Sequence, residues 1–147
     1  MRSRGFTLIE LLVVLAIAGA LLAVAPMALQ RYRESTDYRH TVRTIAAGLT
    51  EARNAAIGSG RVVAFSVDLV GRRYGVDGGP QRDLPESVVV RATVADTDLA
   101  DNVARIRFFP GGNATGGSIE VIRGSGTGAR LRTDWLDGRV SLEGLSP

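Results

Sequence analysis

Few side chains in this sequence combine a reactive type with a useful spacing. His40 is the single histidine and cysteine is absent, so neither a nucleophile pair nor a zinc site can be completed. The segment Gly124-Ser125-Gly126-Thr127-Gly128 is glycine-rich, but it lacks the Gly-Lys-Ser/Thr of a phosphate loop and lies between strand-like segments. It reads as a turn. The run Asp96-Thr97-Asp98-Leu99-Ala100-Asp101-Asn102 offers hard oxygen donors of the kind calcium takes. Without the mid-loop glycine and closing glutamate of an EF-hand, it reads as a solvated acidic loop. These patterns give no metal, no cofactor and no enzyme.

The arginines form a different constellation. All 18 basic residues are arginine, and Arg105, Arg107, Arg123, Arg130, Arg132 and Arg139 gather in the last third of the chain. On strands, Arg105 with Arg107, and Arg130 with Arg132, each share one face. Such a face could neutralise phosphates. Glu120, Asp134 and Asp137 are interleaved with it, and the net charge is only +3. A solvated outer face is the favoured reading, and nucleic acid stays as the alternative.

One carboxylate stands out by its surroundings. Glu10 sits between Leu8-Ile9 and Leu11-Leu12-Val13-Val14-Leu15, at the head of a stretch, residues 11–29, with no charge at all. As a helix that stretch is about 28 Å long, close to the hydrocarbon thickness of a bilayer. A carboxylate deep in a span costs roughly 2.5–3.5 kcal/mol, less near its end. Thr7-Leu8-Ile9-Glu10 also fits a capping box, which accounts for an acid in the first turn but not for apolar residues on both sides. Pairing with an amine at the chain's N-terminus, its own or a neighbour's, would offset the burial. Ala23-Val24-Ala25 has the form of a secretory cleavage site, but Pro26 directly after it and Glu10 within the apolar stretch oppose that reading.

Positioning these residues requires a long helix and a sheet. Val42, Ile45, Ala46, Leu49, Ala52 and Ala56 recur every three to four residues, while Arg39, Arg43, Glu51 and Arg53 take other faces. That is an amphipathic helix in need of a partner surface. Gly58-Ser59-Gly60 ends it, and Thr36 or Asp37 would cap a restart if the helix broke earlier. We expect one bent helix over residues 6–57. From Arg61 the period becomes two: Val63, Phe65 and Val67; Val88-Val89-Val90; Ile106 with Phe108; Ile119 with Val121; Leu131 with Trp135; Val140 with Leu142. Glycine-rich turns separate them. The fold class expected is α+β, a long N-terminal helix packed on a small antiparallel β-sheet or sandwich. About 118 residues lie beyond the apolar stretch, enough for one modest core.

Gly5-Phe6-Thr7-Leu8-Ile9-Glu10-Leu11-Leu12-Val13-Val14, behind the basic Arg2 and Arg4, resembles the signature of the type IV pilin superfamily. That resemblance implies a leader cut by a prepilin peptidase between Gly5 and Phe6, N-methylation of Phe6, Glu10 as the filament-assembly carboxylate, and a bend at Pro26. Without Arg2 and Arg4 the mature chain would carry 16 basic against 15 acidic residues. The positive-inside count does not orient the apolar stretch; the resemblance puts the leader in the cytoplasm. Ile106-Arg107-Phe108-Phe109-Pro110-Gly111-Gly112-Asn113 and Asp134-Trp135-Leu136-Asp137-Gly138-Arg139-Val140 are similar to the GspH/FimT group of that superfamily.

The organisation this implies is a leader at 1–5, a transmembrane half-helix at 6–29, an amphipathic half at 30–58 and a β domain at 59–147. The implied role is that of a minor pseudopilin of the type II secretion system, at or near the tip of the periplasmic pseudopilus. It would be single-pass in the bacterial inner membrane with a periplasmic C-terminal domain. Implied partners are other minor and major pseudopilins and the prepilin peptidase. The alternative is a FimT-like minor pilin of a type IV pilus, with DNA uptake in some members. DNA-binding members of that branch tend to end in Gly-Arg-x-Arg, whereas here Gly138-Arg139-Val140 is followed by Ser141.

Overall fold

The structure, a computed structural model, describes residues 7–95 and 99–146; the side chains of residues 22–33 and of Ala100 lie outside that description. One helix, α1 (Leu8–Ser59), is followed by β1 (Val63–Asp68), β2 (Arg73–Val76), β3 (Arg82–Asp83), β4 (Val88–Thr93), β5 (Leu99–Ala100), β6 (Val103–Phe108), β7 (Gly117–Arg123), β8 (Gly128–Thr133) and β9 (Val140–Leu145). The chain divides into two compact units, Met1–Ser35 and Thr36–Pro147.

In the first unit the side chains of residues 7–21 are all exposed. Thr7 caps the helix: its carbonyl accepts from the N–H groups of Glu10 and Leu11 at 3.1 and 3.2 Å. Its Oγ1 also accepts from the Glu10 N–H, at 3.4 Å, so that this first-turn donor is shared between the two oxygens of the N-cap residue. Among the described residues no helix is long and apolar enough to cross a membrane. The span expected over 11–29 runs into residues whose side chains lie outside the description, as do Ala23, Val24, Ala25 and Pro26.

In the second unit α1 lays Val42, Ile45, Leu49, Ala52 and Ala56 into the core, the stripe that the three-to-four spacing predicts. The helix does not restart at Thr36 or Asp37; Asp37 Oδ2 instead accepts from the Ser87 hydroxyl at 2.9 Å. Its end is the expected one. Gly60 takes φ 64° and donates its N–H to the Ala56 carbonyl at 3.1 Å, a left-handed cap.

The strands form two antiparallel sheets, one in the order β3-β2-β1-β6-β5 and the other β4-β7-β8-β9. Their inner faces supply Phe65, Val67, Tyr74, Ile106 and Phe108 from the first and Val88, Ile119, Val121, Ala129 and Leu131 from the second, all to the one cluster that holds the helix stripe. At Gly48 helix and sheet approach closely, for a Cβ there would sit 2.5 Å from the Phe65 ring. Arg72 ties the sheets at one end. Its Nη2 donates to the carbonyls of Pro85 at 2.7 Å and Val88 at 3.3 Å, while its own carbonyl accepts from the Leu84 N–H at 2.8 Å.

Three strands lie outside the sequence expectation: β2, β3 and β5. Leu131 belongs to β8 as expected, but Trp135 does not; it stands in the β8–β9 turn, exposed. The acidic run is only partly described. Asp96, Thr97 and Asp98 lie outside the described residues. Asp101 and Asn102, at φ 52° and 61°, form the two-residue turn between Ala100 and Val103, the conformation that hairpins of this length need and that Asp and Asn tolerate.

Candidate functional site

Two places in the chain hold residues singled out by the sequence. At the helix N-terminus, Gly5 and Phe6 lie outside the described residues, and Glu10 is exposed in the first turn of α1. Its backbone N–H is held by Thr7, so one half of the capping box is present. From Leu8 to Leu21, Glu10 is the only charged residue, and the large apolar side chains around it range from 51% exposed at Val13 to 79% at Leu8. A carboxylate and an all-round apolar surface stand side by side, and nothing in the described chain covers either.

The second place is where the two C-terminal motifs converge. Phe108 is fully buried and leads into the turn at 109–113, closed by the Phe109 N–H to the Asn113 carbonyl at 2.9 Å and the Gly112 N–H to the Phe109 carbonyl at 2.8 Å. The β8–β9 connection closes with the Asp134 N–H to the Arg139 carbonyl at 2.9 Å. Arg53 joins both to the helix: its Nε–H is shared between the carbonyls of Gly112 at 3.1 Å and Asp137 at 3.0 Å. Gly138 has φ 63°, and a Cβ there would collide with the Gly112 carbonyl. Only glycine lets the two turns meet at this angle. Sequence reasoning missed Arg53, since an arginine on the polar side of an amphipathic helix looks like any solvated one.

The arginines are placed on outer faces, as their alternation requires, but on different sheets. Arg105 and Arg107 belong to β6, and Arg130 and Arg132 to β8. Several are neutralised. Nε and Nη2 of Arg130 donate to Glu120 Oε1 at 2.9 and 2.7 Å, Arg105 lies 3.8 Å from Asp77, and Arg139 lies 3.6 Å from Asp137. Arg123 stacks over the Tyr38 ring, 4.0 Å from its centroid. His40 is exposed on α1, on the rim of a groove floored by Phe65 and Tyr74. Among the described residues no group of three or more His, Asp or Glu is placed to hold a metal ion.

Residues 1–26 match the prokaryotic N-terminal methylation motif, and residues 41–137 match the family described as type II transport protein GspH. The chain is similar to type II secretion system protein H of Xanthomonas campestris, 34% identical over 140 residues, covering 93% of this chain and 81% of that protein. Its fold is similar to that of the minor pseudopilin EpsH of Vibrio cholerae, with a TM-score of 0.55 at 16% identity over 76% of this chain and 98% of that one. The type IV minor pilin FimU of Pseudomonas aeruginosa matches with a TM-score of 0.57 at 15% identity, over 76% of this chain and 92% of that one. With residues 1–26 and 41–137 both matched and a relative 34% identical over 140 residues, the chain belongs to the GspH family of type II transport proteins, the minor pseudopilins of the type II secretion system.

Proposed function

We propose that this chain is a structural subunit, not an enzyme, seated at or near the tip of a short periplasmic pseudopilus that drives folded proteins through an outer-membrane channel. The observation that carries the reading is the segment Leu8–Leu21: apolar on every face, exposed throughout, and interrupted only by Glu10. Such a surface requires apolar surroundings on all sides. Lipid supplies them before assembly and neighbouring helices supply them after it.

In this reading residues 1–5 are a leader removed by a prepilin peptidase, and Phe6 becomes the methylated N-terminus. Residues 6–29 cross the inner membrane once, residues 30–58 complete the helix, and residues 59–147 form the periplasmic β domain. Glu10 pairs with the Phe6 amine of a neighbouring subunit, an ion pair whose attraction is strong in hydrocarbon and whose loss strands a buried charge. The partners are other minor and major pseudopilins.

A second reading, a FimT-like minor pilin of a type IV pilus, has one observation behind it: FimU matches the fold as well as EpsH does. Processing is common to both readings and is tested first. Mass spectrometry of the mature protein is expected to give a chain beginning at N-methylated Phe6, and Gly5→Arg is expected to retain the leader. A mature chain beginning at Pro26 would contradict this.

A further inference from the structure

Two rows of side chains cross the outer face of the four-stranded sheet, and their chemistry differs. Arg91, Glu120, Arg130 and Glu143 stand in register and alternate in sign. The Arg130–Glu120 contacts at 2.9 and 2.7 Å neutralise the centre of that row from within. The next row is Thr93, Ser118, Arg132 and Ser141: three hydroxyls and one guanidinium. Arg132 is exposed, and no carboxylate among the described residues lies within ion-pair distance of it.

This second row opens into a concavity of about 460 Å³ that Thr93, Ser118 and Arg132 line together with Trp135 and the Glu120-paired Arg130. Gly116 and Gly117 contribute only backbone to it. Trp135 is the one tryptophan of the chain and is 66% exposed, yet its backbone is fixed, for its carbonyl accepts from the Ala114 N–H at 3.1 Å. Asp134 is on the same rim, and its Oδ1 is occupied by the Leu136 N–H at 2.8 Å.

A guanidinium flanked by hydroxyl donors is complementary to a carboxylate, which it can hold by two parallel hydrogen bonds. An exposed indole on a fixed backbone beside it offers a large apolar contact of the kind that anchors protein interfaces. We propose that this concavity binds an acidic segment of a protein partner, with a carboxylate on Arg132 and an adjoining apolar side chain on the Trp135 ring. A nucleic-acid strand is the poorer fit. Its affinity grows with the number of phosphates neutralised, whereas Arg105, Arg130 and Arg139 each already have a carboxylate partner. The inference does not depend on the filament role and stands or falls separately from it.

The test uses the full chain in lipid nanodiscs and three probes: a blocked twelve-residue peptide of glutamate, leucine and glycine, the same peptide with glutamine for glutamate, and a twenty-nucleotide single-stranded oligonucleotide. Trp135 is its own fluorescent reporter. The acidic peptide is expected to change its emission saturably. Arg132→Gln is expected to weaken binding at least about fivefold, and Arg91→Gln, on the same face but outside the concavity, less than about twofold. Trp135→Ala, followed by anisotropy of the labelled peptide, is expected to weaken it as Arg132→Gln does. Equal binding of the glutamine peptide, no effect of Arg132→Gln, tighter binding of the oligonucleotide, or no saturable response at millimolar peptide would each overturn the proposal.

Discussion

Between Val42 and Ala56 the helix carries a narrow apolar stripe, and every one of its large members is buried against two sheets. Between Leu8 and Leu21 the same helix carries more apolar residues and buries none of them. The difference lies in the pattern and not in the hydrophobicity. A stripe at helical spacing has one covered side, and its cover can come from the same chain. An apolar surface all round has no free side for solvent, so its cover must be an apolar medium or several other helices. One half of α1 is therefore a folding element, and the other is an element of anchoring and assembly.

The largest effect expected from breaking this comparison is in the covered half. Phe65 is 1% exposed and lies against the helix at Gly48. Phe65→Ala is expected to cost about 3–5 kcal/mol, the usual penalty for emptying a packed aromatic site, read as a lowered midpoint of urea unfolding by circular dichroism. A loss under about 1 kcal/mol would mean that the core is not shared between helix and sheets as described. Arg53→Ala comes next. It leaves two carbonyls without the donor that joined them, which is expected to cost about 1–3 kcal/mol and to speed amide exchange at Gly112 and Gly138. Leu12→Ala is the smallest. Because Leu12 is exposed, the stability of the Thr36–Pro147 unit is expected to change by less than about 0.5 kcal/mol. A larger change would show that the two halves are not energetically separate.

How much of this was legible in the sequence depended on whether a segment's partner was local. The helix stripe and the alternation of β1, β6 and β7 are periodic signals, and the Gly60 cap is a local backbone signal; none of them needs a distant partner to be read. β3 and β5 have two residues each, too few for any period, and they exist because a neighbouring strand offers hydrogen bonds. β2 has four, and only Tyr74 and Val76 turn inward, too few to show a period. Trp135 looked like a strand residue because it is apolar, but the turn bonds of Asp134 and Gly138 hold it outside. The arginine alternation gave the right faces but could not divide them between two sheets. Gly112 and Gly138 were visible as a motif, while the reason for the motif, a contact shared with Arg53, depends on residues far apart in the sequence. At the helix N-terminus the pattern of types around Glu10 was legible in full, since it needs no tertiary partner.

The central claim is that Glu10 acts between chains. If it only supports its own helix end, Glu10→Ala is expected to cost about 1 kcal/mol of local stability and otherwise to be tolerated, since removing the charge eases insertion. If it pairs with a neighbour's N-terminal amine, the variant is expected to insert, to fold its Thr36–Pro147 unit and to accumulate at normal levels, yet to fail to join the filament. Glu10→Asp is expected to restore little, because the shorter side chain falls short of its partner. The deciding measurement is crosslinking to neighbouring subunits in membranes that contain matched amounts of wild-type and Glu10→Ala protein. The account predicts loss of the crosslinks with the Thr36–Pro147 unit still folded; wild-type crosslinking by Glu10→Ala would contradict it.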